Sequence, residues 1–151
     1  MTMKTLFTLS FLFLFSTLAW AAENTNKDII VYKSPLCGCC SKWVAHLREN
    51  NFNVTEVNVD DVTPYKEKYS VPARIGSCHT AVIDGYVIEG HVPAADILTL
   101  LNKRPEVLGL TVPGMPLGSP GMEVGDKFQP YDVLIMNKDG SDEVYNSYTE
   151  K

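Results

Sequence analysis

The chain has 151 residues, a net charge of −5, and 45% hydrophobic and 10% aromatic content. With no cluster of Lys and Arg, that balance excludes a disordered chain and argues against nucleic acid or an anionic membrane surface as a partner. Four cysteines are too few for a disulfide-dense miniprotein, but three of the four fall between Cys37 and Cys40.

In chain order, Lys4 precedes an uncharged stretch, Thr5 to Ala22, with an apolar run from Leu6 to Phe15. Ala19-Trp20-Ala21 has the small-x-small form of a signal-peptidase site. Together these features predict a secretory signal, residues 1–21, cleaved after Ala21. A membrane anchor is the competing reading, but Thr8, Ser10, Ser16 and Thr17 interrupt the run, and a spanning helix needs about 20 mostly apolar residues. The mature chain is therefore expected outside the cytosol and free of the membrane, where thiols tend to oxidise.

Ile29 to Lys33 reads as a strand, and Ser34-Pro35-Leu36-Cys37-Gly38 as a turn. From Cys39 to Asn50 the pattern is helical, with Cys40, Trp43, Val44 and Leu47 on one face. Asn53 to Val59 alternates as a second strand. Asp60-Asp61 offers N-cap chemistry to a short helix through Tyr65 to Tyr69. Val71-Pro72 opens a turn through Gly76. Cys78 to Ile83 is a third strand, Asp84-Gly85 a two-residue hairpin turn, and Tyr86 to Glu89 the return strand. Pro93 suits the first turn of a helix that buries Ala94, Ile97, Leu98 and Leu101 and stops before Pro105. This order predicts an α/β fold, a thioredoxin-like domain over residues 22–104.

Residues 105–151 read as an extension. Pro113 to Gly121 holds three prolines and three glycines in nine residues, a composition of structured loop. Tyr131 to Met136 is strand-like, and Glu143 to Tyr148 pairs back across Asp139-Gly140 as a short β-hairpin.

Cys37-Gly38-Cys39-Cys40 follows a strand and opens a helix. Unpaired amide protons and the helix dipole there favour a thiolate, which is both nucleophile and metal ligand. Cys37 and Cys40 alone form the Cys-x-x-Cys spacing of dithiol exchange enzymes. Cys39 is surplus to that chemistry. Two structural disulfides are the bland alternative, but one bridge would have to close inside the motif, where it constrains the unfolded chain little. Metal binding is the stronger reading, because clustered thiolates select soft ions.

Further donors extend the set. Cys78 and His79 open the third strand, so a regular strand would point them to opposite faces. His91 follows the fourth strand. His46 lies off the apolar face of the first helix and reads as solvated surface. Met115 and Met122 sit in the Pro/Gly-rich loop with little apolar company. Thioether sulfur there shifts the choice of metal towards monovalent copper. Met136, inside Val133-Leu134-Ile135, reads as core.

Four segments together resemble the CopG family of periplasmic copper-resistance proteins. They are Cys37-Gly38-Cys39-Cys40-Ser41-Lys42-Trp43, Ser77-Cys78-His79-Thr80, Gly85 to Pro93, and Pro113 to Glu123. The resemblance implies a thioredoxin-like domain whose C-terminal extension helps bind metal. It implies a Cys-bridged cluster of several copper ions, held by Cys37, Cys39, Cys40, Cys78, His79, His91, Met115 and Met122. It further implies a periplasmic oxidoreductase role that interconverts Cu(I) and Cu(II) and feeds a copper efflux system. Cys37 and Cys40 are the candidate catalytic pair, and with no exposed apolar helix or coiled-coil repeat to demand assembly a monomer is expected. Two other functions share these residues. One is a thiol–disulfide oxidoreductase in which Cys37 attacks and Cys40 resolves. The other is a non-enzymatic copper chaperone or sink.

Overall fold

The computed structural model describes residues 27–150. The predicted signal, residues 1–21, lies outside the described residues. Among the described residues, seven strands and three α-helices follow one another as β1 (Asp28–Lys33), α1 (Gly38–Glu49), β2 (Asn53–Asn58), α2 (Thr63–Lys68), β3 (Thr80–Ile83), β4 (Tyr86–Glu89), α3 (Ala94–Lys103), β5 (Gly109–Thr111), β6 (Tyr131–Met136) and β7 (Asp142–Tyr148). A short 3-10 turn, Ala73–Ile75, stands between α2 and β3. All the strands join one sheet in the order β2-β1-β3-β4-β5-β6-β7.

β1 pairs with β2 in parallel and with β3 antiparallel, and β3 and β4 form a hairpin. That hairpin is tight because Asp84 and Gly85 both take positive φ, the requirement of a two-residue turn matched to strand twist. β4 and β5 are parallel, with α3 crossing between them. β5, β6 and β7 are then antiparallel neighbours. β5, β6 and β7 therefore continue the sheet begun by β1 to β4.

Side chains alternate across the sheet and build two cores. α1 and α3 cover one face, where Trp43, Val44 and Leu47 meet Ile29, Val31, Ala81, Ile88, Ile97 and Leu101. Ile75, Val87 and Met136 form a smaller cluster on the other face, packed by Tyr69 and Val71 after α2. Met136 is core, as its setting suggested.

Several boundaries differ from expectation, each for a local reason. α2 starts at Thr63, with Pro64 in its first turn. Asp61 still satisfies an early amide, accepting from Thr63 N at 2.8 Å. Pro93 is the N-cap of α3 rather than its first turn, and Leu100 is buried where Leu98 is only half-buried. His46 is not a solvated residue. Its Nε2 accepts from Ala94 N at 3.1 Å, so a side chain of α1 caps α3, whose own Pro93 offers no capping side chain. That role requires a neutral imidazole, and burial lowers the His46 pKa from its ordinary 6.5. No helix among the described residues is long and apolar enough to cross a membrane.

Candidate metal centre

The site begins at the junction of β1 and α1. Residues Ser34 to Cys37 form a turn closed by Cys37 N donating to Ser34 O at 3.1 Å. Cys37 is the N-cap of α1, and its sulfur accepts from Cys40 N at 3.3 Å. Sulfur thus takes the place that a Ser or Asp oxygen usually fills at a helix start. Cys37 and Cys40 are joined as a disulfide, while Cys39 and Cys78 are free. Cys39 Sγ lies 3.5 Å from Cys37 Sγ, and Cys78 Sγ lies 3.5 Å from Cys40 Sγ.

Cys78 brings in nitrogen. Its sulfur is 3.2 Å from His79 Nδ1 and 3.2 Å from His91 Nε2. The expectation that Cys78 and His79 face opposite sides fails because β3 begins only at Thr80. Both residues lie in the irregular stretch before the strand, where alternation does not apply. Two donor groups result, Cys37/Cys39/Cys40/Cys78 and Cys78/His79/His91, with ligand atoms of each within 4.8 Å of one another. Cys78 belongs to both.

The imidazoles are held by their surroundings. His91 Nδ1 lies 2.8 Å from the Pro120 carbonyl, which can only accept. Nδ1 therefore carries the proton, and the Nε2 lone pair faces Cys78. Trp43 lies against His79, ring centroids 4.4 Å apart, and is itself fixed by Nε1–H donating to Val92 O at 2.9 Å. His79 and His91 meet edge to face at 5.0 Å. Burial pushes the pKa of both histidines below the ordinary 6.5, for His79 far below. Both are neutral donors at neutral pH.

Burial and then the neighbouring Cys39 push the Cys78 thiol up to about 12. By itself such a thiol is a poor nucleophile. A bound cation reverses that balance, since coordination deprotonates a thiol outright. His79 Nε2 is buried without a hydrogen-bond partner. A buried nitrogen without a partner, two neutral imidazoles and the free thiols of Cys39 and Cys78, joined by Cys37 and Cys40 once their disulfide is reduced, fit a soft or borderline metal ion by donor chemistry.

The two methionines ride on the Pro/Gly-rich strap. Met115 is 51% exposed and Met122 is half-buried. Each stands beside a point where the strap touches a cysteine segment. Gly114, before Met115, accepts from Ser77 Oγ and donates its N–H to Gly76 O at 3.2 Å. Gly121, before Met122, packs so tightly on α1 that an added Cβ would lie 2.7 Å from Cys39 O and 2.8 Å from Trp43 N. Glycine at φ +87 is what allows that approach. Sequence reasoning missed Trp43, Ser77 and the Pro120 carbonyl as supports of the site. Only Trp43 left a signal, its place on the apolar face of α1.

Comparison with known proteins bears on this arrangement. The family described as "Protein of unknown function, DUF411" matches residues 75–122, the stretch with Cys78, His79, His91, Met115 and Met122. Two solved structures, named copper resistance protein copG Form 2 and Form 1, are each 47% identical to the chain over 80% of its length. The chain spans 97% and 96% of them, with TM-scores of 0.77 and 0.76. The chain belongs to the CopG copper-resistance family. No curated protein sequence matches it. For this CopG-family chain, the two overlapping donor groups are where a copper-handling function has chemistry to work with.

Proposed function

We propose that the protein binds several copper ions in a Cys-bridged site and interconverts Cu(II) and Cu(I) there. The observation that carries this reading is Cys78, a single sulfur shared by a thiol group and an imidazole group. A sulfur common to two donor sets is placed to bridge two ions. Thiolate and thioether suit Cu(I), and imidazole also tolerates Cu(II). Cys37, Cys39, Cys40, Cys78, His79 and His91 are the donors, with Met115 and Met122 closing from the strap.

Cys37 and Cys40 are the redox pair in this reading. Their two thiolates give one electron each to two Cu(II) ions. Two Cu(I) ions and the Cys37–Cys40 disulfide result. Cys39, Cys78, the histidines and the methionines keep the Cu(I) until a dithiol reductant restores Cys37 and Cys40 as thiolate ligands. The order and directions of β1 to β4, with α1 joining the parallel pair, support a thioredoxin-like description of residues 22–104, extended by residues 105–151. The secretory pattern of residues 1–21 supports a periplasmic site of action, with the protein a monomer feeding an efflux system.

Two measurements test the reading. Elemental analysis of reduced mature protein, loaded anaerobically with Cu(I) and challenged with a chelator, should find more than one copper per chain. Adding Cu(II) to the reduced, metal-free protein should bleach two Cu(II) signals in electron paramagnetic resonance for each disulfide formed. Copper retained without loss of Cu(II) signal would reduce the protein to a chaperone or sink. The Cys37–Cys40 disulfide at a helix start also favours dithiol exchange. That reading predicts metal-free reduction of insulin and indifference to Met115 and Met122.

A further inference from the structure

The buried charge beside the site is not one of its donors. Glu89 ends β4 and is fully buried on the α2 face of the sheet. Its Oε1 accepts the Ser77 backbone N–H at 2.6 Å and pairs with the Lys66 ammonium from α2. Its Oε2 accepts from the Thr80 hydroxyl at 2.7 Å, directly across the β3–β4 register. Lys66 also donates to Thr80 Oγ1 at 3.1 Å.

One carboxylate therefore grips the residue before Cys78 and the residue after His79. Two positions further along its own strand direction stands His91. The hairpin closes above it through Gly90 N donating to His79 O at 3.0 Å. Ser77 passes the hold onward, its hydroxyl donating to Gly114 O at the foot of the methionine strap. An apolar pair would avoid the desolvation that a buried ion pair suffers. No apolar side chain, however, could receive the Ser77 N–H.

We propose that Glu89 is a positioning residue of the metal site. By receiving the Ser77 N–H and the Thr80 hydroxyl, it sets the Cys78 sulfur at its distances from His79, His91 and Cys40. The inference rests on reading the site as a metal centre. Glu89 touches no donor atom and acts through the segment that carries them.

Two substitutions separate reach from charge. Glu89→Gln keeps an oxygen within reach of Ser77 N–H and removes the charge. Glu89→Asp keeps the charge and withdraws it by one methylene, about 1.5 Å. Each protein is loaded anaerobically with Cu(I) and titrated with a colorimetric Cu(I) chelator. In parallel, the alkylation rate of Cys78 is mapped by mass spectrometry on reduced, metal-free protein. Glu89→Gln should bind like the wild type. Glu89→Asp should lose about tenfold or more in Cu(I) affinity, the scale of losing a partner that orients a metal ligand, and its Cys78 should alkylate faster.

Asp96→Asn is the control. That buried carboxylate holds Asn146 and Tyr148 instead, so its loss should lower Tm and leave Cu(I) affinity unchanged. Wild-type affinity in Glu89→Asp overturns the proposal, and so does an equal loss in Glu89→Gln, which would assign the effect to charge. Should Glu89→Asp not fold, Lys66→Met/Glu89→Gln removes the ion pair and keeps the Ser77 N–H acceptor, with the amide NH2 now donating to Thr80 Oγ1 in place of the bond it received. Its affinity must then match the wild type, and a tenfold loss overturns the proposal. A wild type that retains no Cu(I) defeats the metal reading instead, and the alkylation rates still decide whether Glu89 sets Cys78.

Discussion

The cysteine segments and the methionine strap touch at Ser77 and at the start of α1, yet they are held in different ways. Cys37, Cys39 and Cys40 sit on the first turn of a helix anchored by Trp43, Val44 and Leu47 in the main core. Cys78, His79 and His91 sit at the open end of a hairpin whose register is fixed from both sides. The strap, residues 113–123, has no strand or helix of its own. It is held by loop hydrogen bonds such as Met122 N to Ser119 O at 2.8 Å, and by the contact of Gly121 on α1. A helix start and a hairpin end share the stability of the core, whereas a strap can change position without unfolding the sheet. Changes in the first region should therefore alter binding outright, and changes in the second should tune it.

Cys78→Ser is the strongest way to break that comparison. It removes the sulfur common to both donor groups while keeping the size of the side chain. Copper retained against a chelator should fall by at least about tenfold, and binding that survives intact would show that the two groups do not work as one site. Gly121→Ala comes next. Its Cβ would meet backbone atoms of Cys39 and Trp43, so the strap must lift. Denaturant unfolding should register a loss of about 1–3 kcal/mol, and copper retention should drop with it.

Met115→Leu/Met122→Leu sharpens the contrast more gently. The swap conserves volume, and exchanges of this kind cost less than about 1.5 kcal/mol, so the melting temperature should stay near that of the wild type. Fewer copper ions should be retained. An unchanged copper count would remove the strap from the site.

The smallest effect lies away from the metal. Burial holds the His46 pKa below its ordinary 6.5, so the neutral imidazole that caps Ala94 N is the folded form. Its contribution is fully present above pH 6.5 and is lost as pH falls through the lowered folded value. Denaturant curves at pH 7.5 and 5.5 should differ by about 1 kcal/mol on its account, the usual worth of a helix cap. His46→Gln should remove that share of the difference and leave the part that His79 and His91, whose pKa values burial also lowers, contribute.

Much of the frame was legible because its signals are local. Asp84-Gly85 marked its hairpin, Pro105 the end of α3, and Cys37-Gly38-Cys39-Cys40 a helix start rich in sulfur. β5 escaped notice because Gly109–Thr111 is three residues long and defined by its partners in β4 and β6. His46 was misread because its partner, Ala94, is 48 residues away. Glu89 looked like the polar end of a strand, and nothing near it in sequence announces Lys66 or Ser77 as partners.

The sequence by itself determined which donors exist and what they favour. Clustered thiols, imidazoles and thioethers choose soft metal chemistry wherever the chain places them, because that preference belongs to sulfur and nitrogen. Only the tertiary structure decided that Cys78 is the shared sulfur and that His91 presents Nε2. It alone placed a buried carboxylate behind the segment that carries Cys78. Each of those facts depends on where one strand begins and what packs beside it, which long-range pairing decides and local pattern does not.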